Sequence, residues 1–207
     1  MNRSDYIYQN LSEMYPDAHC QLNYGSDFQL AVAVLLSAQT TDAAVNKVTE
    51  RLFEHYPDAR SLYEADLGDL EDIIRAIGLF HTKALNIRRM ASEIVRRFDG
   101  KLPERFEELI TLPGIGVKCA NVIMAEIYHV PAFPVDTHVN RIARRLAIAC
   151  LDDSLKTVEE KLKEFFPEDR WIRMHHLLIF FGRNKCVARN PKCEGCPFIS
   201  FCIEKNK

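Results

Sequence analysis

Apolar and polar positions alternate at a helical period along almost the whole chain. Phe28, Ala31, Val32, Leu35 and Leu36 fall on one face after Ser26 and Asp27, which are suited to capping a helix. Val45, Val48, Leu52 and Phe53 do the same between Thr41 and Pro57. Ala84, Ile87, Met90, Ala91, Ile94 and Val95 repeat the spacing before Asp99-Gly100, and Val158, Leu162 and Phe165 repeat it before Pro167. Trp171, Leu178 and Phe181 form a further stripe that reads as core, with His175 and His176 beside it as packed or hydrogen-bonded histidines. From Ser61 to Ile77 the pattern is broken at Gly68, which predicts two short helices there. No alternating run marks a strand. The pattern predicts an all-α protein.

The segment LPGIGVKCA (112–120) stands out against this background. A helix is predicted over 104–110 and another over 117–128, so Gly114 and Gly116 must turn the chain within a few residues. Such a turn either connects two antiparallel helices or forms a helix-hairpin-helix. In the second case the free N–H groups at the next helix start offer an anion site suited to a phosphate diester. Lys118 lies in the first turn of that helix, at the positive end of its dipole, which disfavours the ammonium form. Partial burial would act in the same direction and leave a neutral amine able to form a Schiff base. The other reading of Lys118 is an exposed lysine balancing Glu107 or Glu108. A nucleophile attacking a sugar carbon needs a carboxylate nearby, and Asp136 in PVDTH is the candidate. Asp136 is equally placed to N-cap the helix carrying Val139, Ile142, Ala143 and Leu146.

Pro131 and Pro134 in VPAFPVDTHV interrupt the helical pattern and mark a boundary. Two helical domains are expected: residues 21–130, containing the hairpin, and residues 1–20 plus 131–207, ending in a cysteine-bearing loop.

The chain has 207 residues, is 47% hydrophobic and carries a formal net charge of −2, which does not by itself announce a nucleic-acid binder. The distribution of charge says more. From Arg170 onward Arg170, Arg173, Arg183, Lys185, Arg189, Lys192, Lys205 and Lys207 face only Glu194 and Glu204. This is either a solvated face or one that meets phosphates. No apolar run is long enough to span a bilayer, and MNRSDYIYQN lacks the features of a signal peptide, so the cytoplasm is the expected location. Seven cysteines, an odd number, argue against a disulfide framework. Cys186, Cys193, Cys196 and Cys202 can surround one metal centre, with zinc and a [4Fe-4S] cluster both chemically possible. Structural zinc usually takes two close pairs, and here only Cys193 and Cys196 are close.

LPGIGVKCANVI, VDTHVNRIARRL and the array C-x6-C-x2-C-x5-C, together with LLSAQTTDAAVNKVT and GLFHTKALNI, resemble the endonuclease III family of helix-hairpin-helix base-excision DNA glycosylases. The resemblance runs in order through nearly the whole chain. It implies a bifunctional glycosylase and abasic-site lyase that acts as a monomer on double-stranded DNA containing damaged pyrimidines or abasic sites. Lys118 would be the Schiff-base nucleophile and Asp136 the catalytic carboxylate. Gln39 would fill the gap left by an extruded nucleotide, Leu79 would wedge into the opposite strand, and His138 would lie near the pocket. Read by position alone, Gln39 is a helix C-terminal residue and Leu79 a core leucine. Gly114 and Gly116 would meet the DNA backbone, Arg189 and Lys192 phosphates, and the four cysteines would hold a [4Fe-4S] cluster of structural role. Where relatives often carry a basic residue and a threonine beside the lysine, this chain has Val117 and Cys119. Two further readings stay open: a mismatch-specific thymine or uracil glycosylase on the same scaffold, and a non-catalytic iron-sulfur DNA-binding protein.

Overall fold

The computed structural model describes residues 2–204, so Lys205 and Lys207 of the basic tail lie outside the described residues. Among the described residues there are eleven α-helices, two short 3-10 turns and no strand. The chain divides into two units, Gln21–Tyr128 and Met1–Cys20 with His129–Lys207. It opens with α1 (Arg3–Met14), which belongs to the discontinuous unit.

The continuous unit is built on α2 (Asp27–Leu36), whose sequence DFQLAVAVLL is apolar on nearly every face. A helix of that kind has to be surrounded. α3 (Asp42–His55), α6 (Phe80–Phe98) and α8 (Val117–Glu126) all pack on it. α4 (Ala59–Glu64) and α5 (Leu67–Ile74) lie against α6, which offers them Ala84, Ile87, Met90, Ala91 and Ile94, each fully buried. Burial of each larger side chain of this kind stabilises by about 1.5–3 kcal/mol. Local capping sets the helix starts. Ser26 accepts from the Gln29 N–H, Thr41 from the Ala44 N–H, and Asp58 forms a capping box with Ser61. The break expected at Gly68 falls instead at Ala65-Asp66, because Asp66 takes the N–H groups of both Gly68 and Asp69 and so draws the glycine into the first turn of α5. α7 (Phe106–Leu109) is a single turn, shorter than the helix expected over 104–110.

The discontinuous unit packs α9 (Thr137–Arg145) between α10 (Leu155–Phe165) and α11 (Trp171–Asn184), with α1 on α11. Its core joins Ile7 and Leu11 of α1 to Phe133, Val139, Ile142, Val158, Leu162, Met174, Leu178, Phe181 and Phe198. Phe198 carries this core into the cysteine loop. Among the described residues no helix is long and apolar enough to cross a membrane.

Candidate active site and metal centre

The LPGIG turn joins α7 to α8, and its two glycines are held for different reasons. Gly114 has φ +82°, and a Cβ there would lie 2.6 Å from Leu35 Cδ1 and 3.2 Å from Asn86 Cβ. Only glycine fits. Gly116 has φ −93° and ψ 177°, ordinary extended backbone, with nothing within 4 Å of a Cβ. No side chain caps α8, whose first turn carries Lys118. Lys118 is exposed rather than partly buried, and its ammonium makes no hydrogen bond or ion pair among the described residues. The nearby Glu107 faces Arg105 instead, at 3.9 Å. Val117 is exposed beside the lysine, and burial pushes the Cys119 thiol above its usual value.

Asp136 occupies the other kind of helix start. It is the N-cap of α9: Oδ1 accepts from the Val139 N–H at 2.7 Å, and Oδ2 accepts from His138 Nδ1 at 3.2 Å. Its side chain is 15% exposed. Burial alone would raise this carboxyl, but the His138 and Val139 hydrogen bonds and the neighbouring charge of His175 and His138 outweigh it and hold the carboxyl down to about 2. His175, buried on α11, donates from Nδ1 to the Pro134 carbonyl at 2.9 Å. It thereby fixes the extended segment that leads into Asp136. Reading the sequence as a packed histidine missed this influence on the carboxylate, because the spacing of His175 on α11 carries no trace of α9.

Gln39 and Leu79 both leave the positions their sequence context suggests. α2 ends at Leu36, and Gln39 lies beyond it in the turn closed by Thr40 N–H to Ser37 O at 3.1 Å. Leu79 is 62% exposed at the N-cap of α6, not in the core. Both residues are left-handed, at φ 54° and 60°. Left-handed backbone is unusual for Gln and Leu and costs about 1 kcal/mol or more, a feature that concentrates at functional sites.

The four clustered cysteines line one pocket, partly open to solvent, with Arg145, Phe181, Lys185 and Phe198 also on its wall. Four thiolates brought to one wall are the donor set that a [4Fe-4S] cluster takes, and Arg145 and Lys185 beside them suit the negative charge of such a centre. The loop is tied down by Lys185 Nζ to Glu194 O at 2.9 Å and by Tyr6 to Pro197 O at 3.2 Å. Two α9 arginines also hold it. Arg145, buried, donates to Cys186 Sγ at 3.4 Å and to Val187 O at 2.7 Å, and Arg141 donates to Cys186 O at 3.2 Å. The basic residues singled out in the sequence begin at Arg170 and leave out these two. The available signal was Arg145 in the apolar stripe Ile142, Arg145, Ala149. Arg189 and Lys192 are exposed. None of the seven cysteines forms a disulfide among the described residues.

A model of the HhH-GPD superfamily of base excision DNA repair proteins matches residues 32–168, and a model of the iron-sulfur binding domain of endonuclease III matches residues 186–202. Helical fold, hairpin and cysteine loop together define a helix-hairpin-helix base-excision DNA repair protein. Endonuclease III of Bacillus subtilis (strain 168) is 41% identical over 100% of this chain and 94% of its own length, and that of Escherichia coli (strain K12) is 36% identical over 97% and 95%. The structure of a trapped endonuclease III–DNA covalent intermediate matches with a TM-score of 0.93 and 42% identity, covering 100% of this chain and 98% of that one. A thermostable thymine-DNA glycosylase shares the fold at a TM-score of 0.84 with 19% identity, covering 98% and 96%. The chain belongs to the endonuclease III family. As such it is a DNA glycosylase and abasic-site lyase that works through a Schiff base, and its C-terminal cysteines hold a [4Fe-4S] cluster.

Proposed function

We propose that this glycosylase removes damaged pyrimidines from double-stranded DNA, with Lys118 as its nucleophile and Asp136 as its catalytic carboxylate. The Lys118 amine attacks C1′ of an extruded nucleotide, the N-glycosidic bond breaks and the base leaves. The C1′–O4′ bond then opens, O4′ taking a proton, and the resulting protonated imine makes the C2′ hydrogen acidic; its loss as a proton expels the 3′ phosphate by β-elimination. A carboxyl held at about 2 is a weak base. Asp136 is therefore better suited to stabilising positive charge on the sugar than to taking a proton. Gln39 fills the vacancy left by the extruded nucleotide and Leu79 wedges into the opposite strand, which their exposure and left-handed backbone support. The open backbone from Gly114 to Gly116 and the uncapped start of α8 receive a DNA phosphate. His138 borders the pocket through its bond to Asp136. Arg189 and Lys192 neutralise phosphates from the cysteine loop. Cys186, Cys193, Cys196 and Cys202 would hold the cluster, which would order the basic loop around the buried Phe198. The protein works as a monomer on DNA in the cytoplasm.

The observation that carries this reading is the free amine of Lys118 at an uncapped helix start in a chain of this family. Single-turnover cleavage of duplexes each carrying one defined lesion tests it. An oxidised pyrimidine is released faster than 8-oxoguanine, 3-methyladenine or the thymine of a T·G mismatch. Faster release of mismatched thymine would move the function to the thymine glycosylases.

A further inference from the structure

Lys83, on α6, is only 4% exposed. Its Nζ donates to Thr40 Oγ1 at 2.7 Å, and no acidic group pairs with it among the described residues. Burial pushes this ammonium below the usual lysine value. A buried cation without a counter-charge is costly, and a methionine would fill the same space without that cost. Packing therefore does not call for a lysine here; its hydrogen bond does.

That bond lies beside the two inserted residues. Thr40 Oγ1 passes the interaction on by donating to Ala38 O at 3.3 Å, so the chain of hydrogen bonds from Lys83 spans both neighbours of Gln39. At the other end the Lys83 backbone N–H donates to Leu79 O at 3.0 Å, the first helical bond of α6. A single residue thus holds two left-handed turns, a backbone conformation that Gln and Leu rarely adopt. We propose that Lys83 is a positioning residue that clamps the Gln39 turn to the Leu79 turn, so that the two side chains enter the duplex as one unit. The proposal rests on the gap-filling and wedging roles given to Gln39 and Leu79 above.

The test is the rate of duplex opening, read from a 2-aminopurine placed beside the lesion in stopped flow with the whole, cluster-loaded protein. Lys83→Met keeps the stem and removes the donor; Thr40→Val removes the hydroxyl; Thr40→Ser restores it. Both Lys83→Met and Thr40→Val slow opening about tenfold relative to borohydride trapping on a single-stranded abasic oligonucleotide. Their double variant is no slower than either, because they break one chain, and Thr40→Ser recovers the rate. The Tm of Lys83→Met does not fall, because a buried charge has gone. Gln39→Ala and Leu79→Ala serve as references. If they open duplex slowly while Lys83→Met and Thr40→Val match wild type, the clamp is wrong and the gap-filling reading stands. If Gln39→Ala and Leu79→Ala themselves open duplex at the wild-type rate, that reading fails first. A lower Tm with equal loss on single-stranded and duplex DNA would reduce Lys83 to a merely structural residue.

Discussion

The starts of α8 and α9 carry residues of opposite charge and are built in opposite ways. At α8 a glycine precedes the helix, no side chain caps it, and Lys118 stands exposed with no partner among the described residues. At α9 both oxygens of Asp136 are engaged, one by the cap bond to Val139 and the other by His138. The difference follows from what each group has to do. An amine that forms a covalent bond must not be committed elsewhere, and a helix start with no capping side chain leaves the Lys118 side chain uncommitted. A carboxylate that must stay charged while largely buried needs donors, and the same helix end supplies them.

The largest effect comes from removing the open partner of this pair. Lys118→Ala abolishes borohydride trapping on abasic DNA and leaves stability within about 0.5 kcal/mol, since an exposed side chain is deleted. Undiminished trapping would place the nucleophile elsewhere.

Asp136 is dissected by two substitutions. Asp136→Asn keeps an oxygen for the Val139 N–H but loses the charge, so single-turnover base release slows about 100-fold or more. Asp136→Ala loses the cap as well and is about 1 kcal/mol less stable than the Asn variant. The pH dependence carries a definite sign. The folded carboxyl titrates at about 2, below the 3.8 usual for an aspartate in an unfolded chain, so its ionic contribution is present above that unfolded value and is lost as pH falls through the folded one. Urea unfolding of wild type and Asp136→Asn therefore differs by on the order of 2 kcal/mol at pH 6, and the gap closes toward pH 2. A gap that persists at pH 2 would mean that the charge of Asp136 is not what its neighbours stabilise. Equal base release in the two proteins would leave Asp136 as a cap alone.

The helices were legible because their period and their caps are local. Ser26 and Asp136 each sit where an N-cap was expected. Gly68 misled because Asp66, two residues earlier, is the stronger start signal. Two readings of Lys118 were open, a partly buried amine and an exposed lysine; the side chain is exposed, as is Val117 beside it. The left-handed turns at Gln39 and Leu79 were hidden because such turns normally announce themselves with Gly or Asn. Arg141 and Arg145 meet the cysteine loop across about 40 residues of chain, and His175 meets the Asp136 segment across a similar span. Contacts of that length depend on helix packing, which a periodic pattern does not specify.

The smallest effects separate the two glycines at the open helix start. Gly114→Ala must place a Cβ at φ +82° and 2.6 Å from Leu35 Cδ1, with Asn86 Cβ at 3.2 Å closing the other side. Strain and overpacking together cost about 2–4 kcal/mol, so Tm falls whether or not DNA is present. Gly116→Ala meets nothing within 4 Å and keeps an allowed backbone. The lower entropy of its unfolded chain roughly offsets the poorer cap, leaving stability within about 1 kcal/mol of wild type. Its consequence is confined to DNA, because the added methyl stands where a phosphate would approach the first N–H groups of α8. Duplex affinity measured at fixed salt falls several-fold, about 1 kcal/mol, while Tm stays in place. Unchanged affinity would mean that this helix start is open without facing DNA. Lys118 would then owe its freedom to exposure alone.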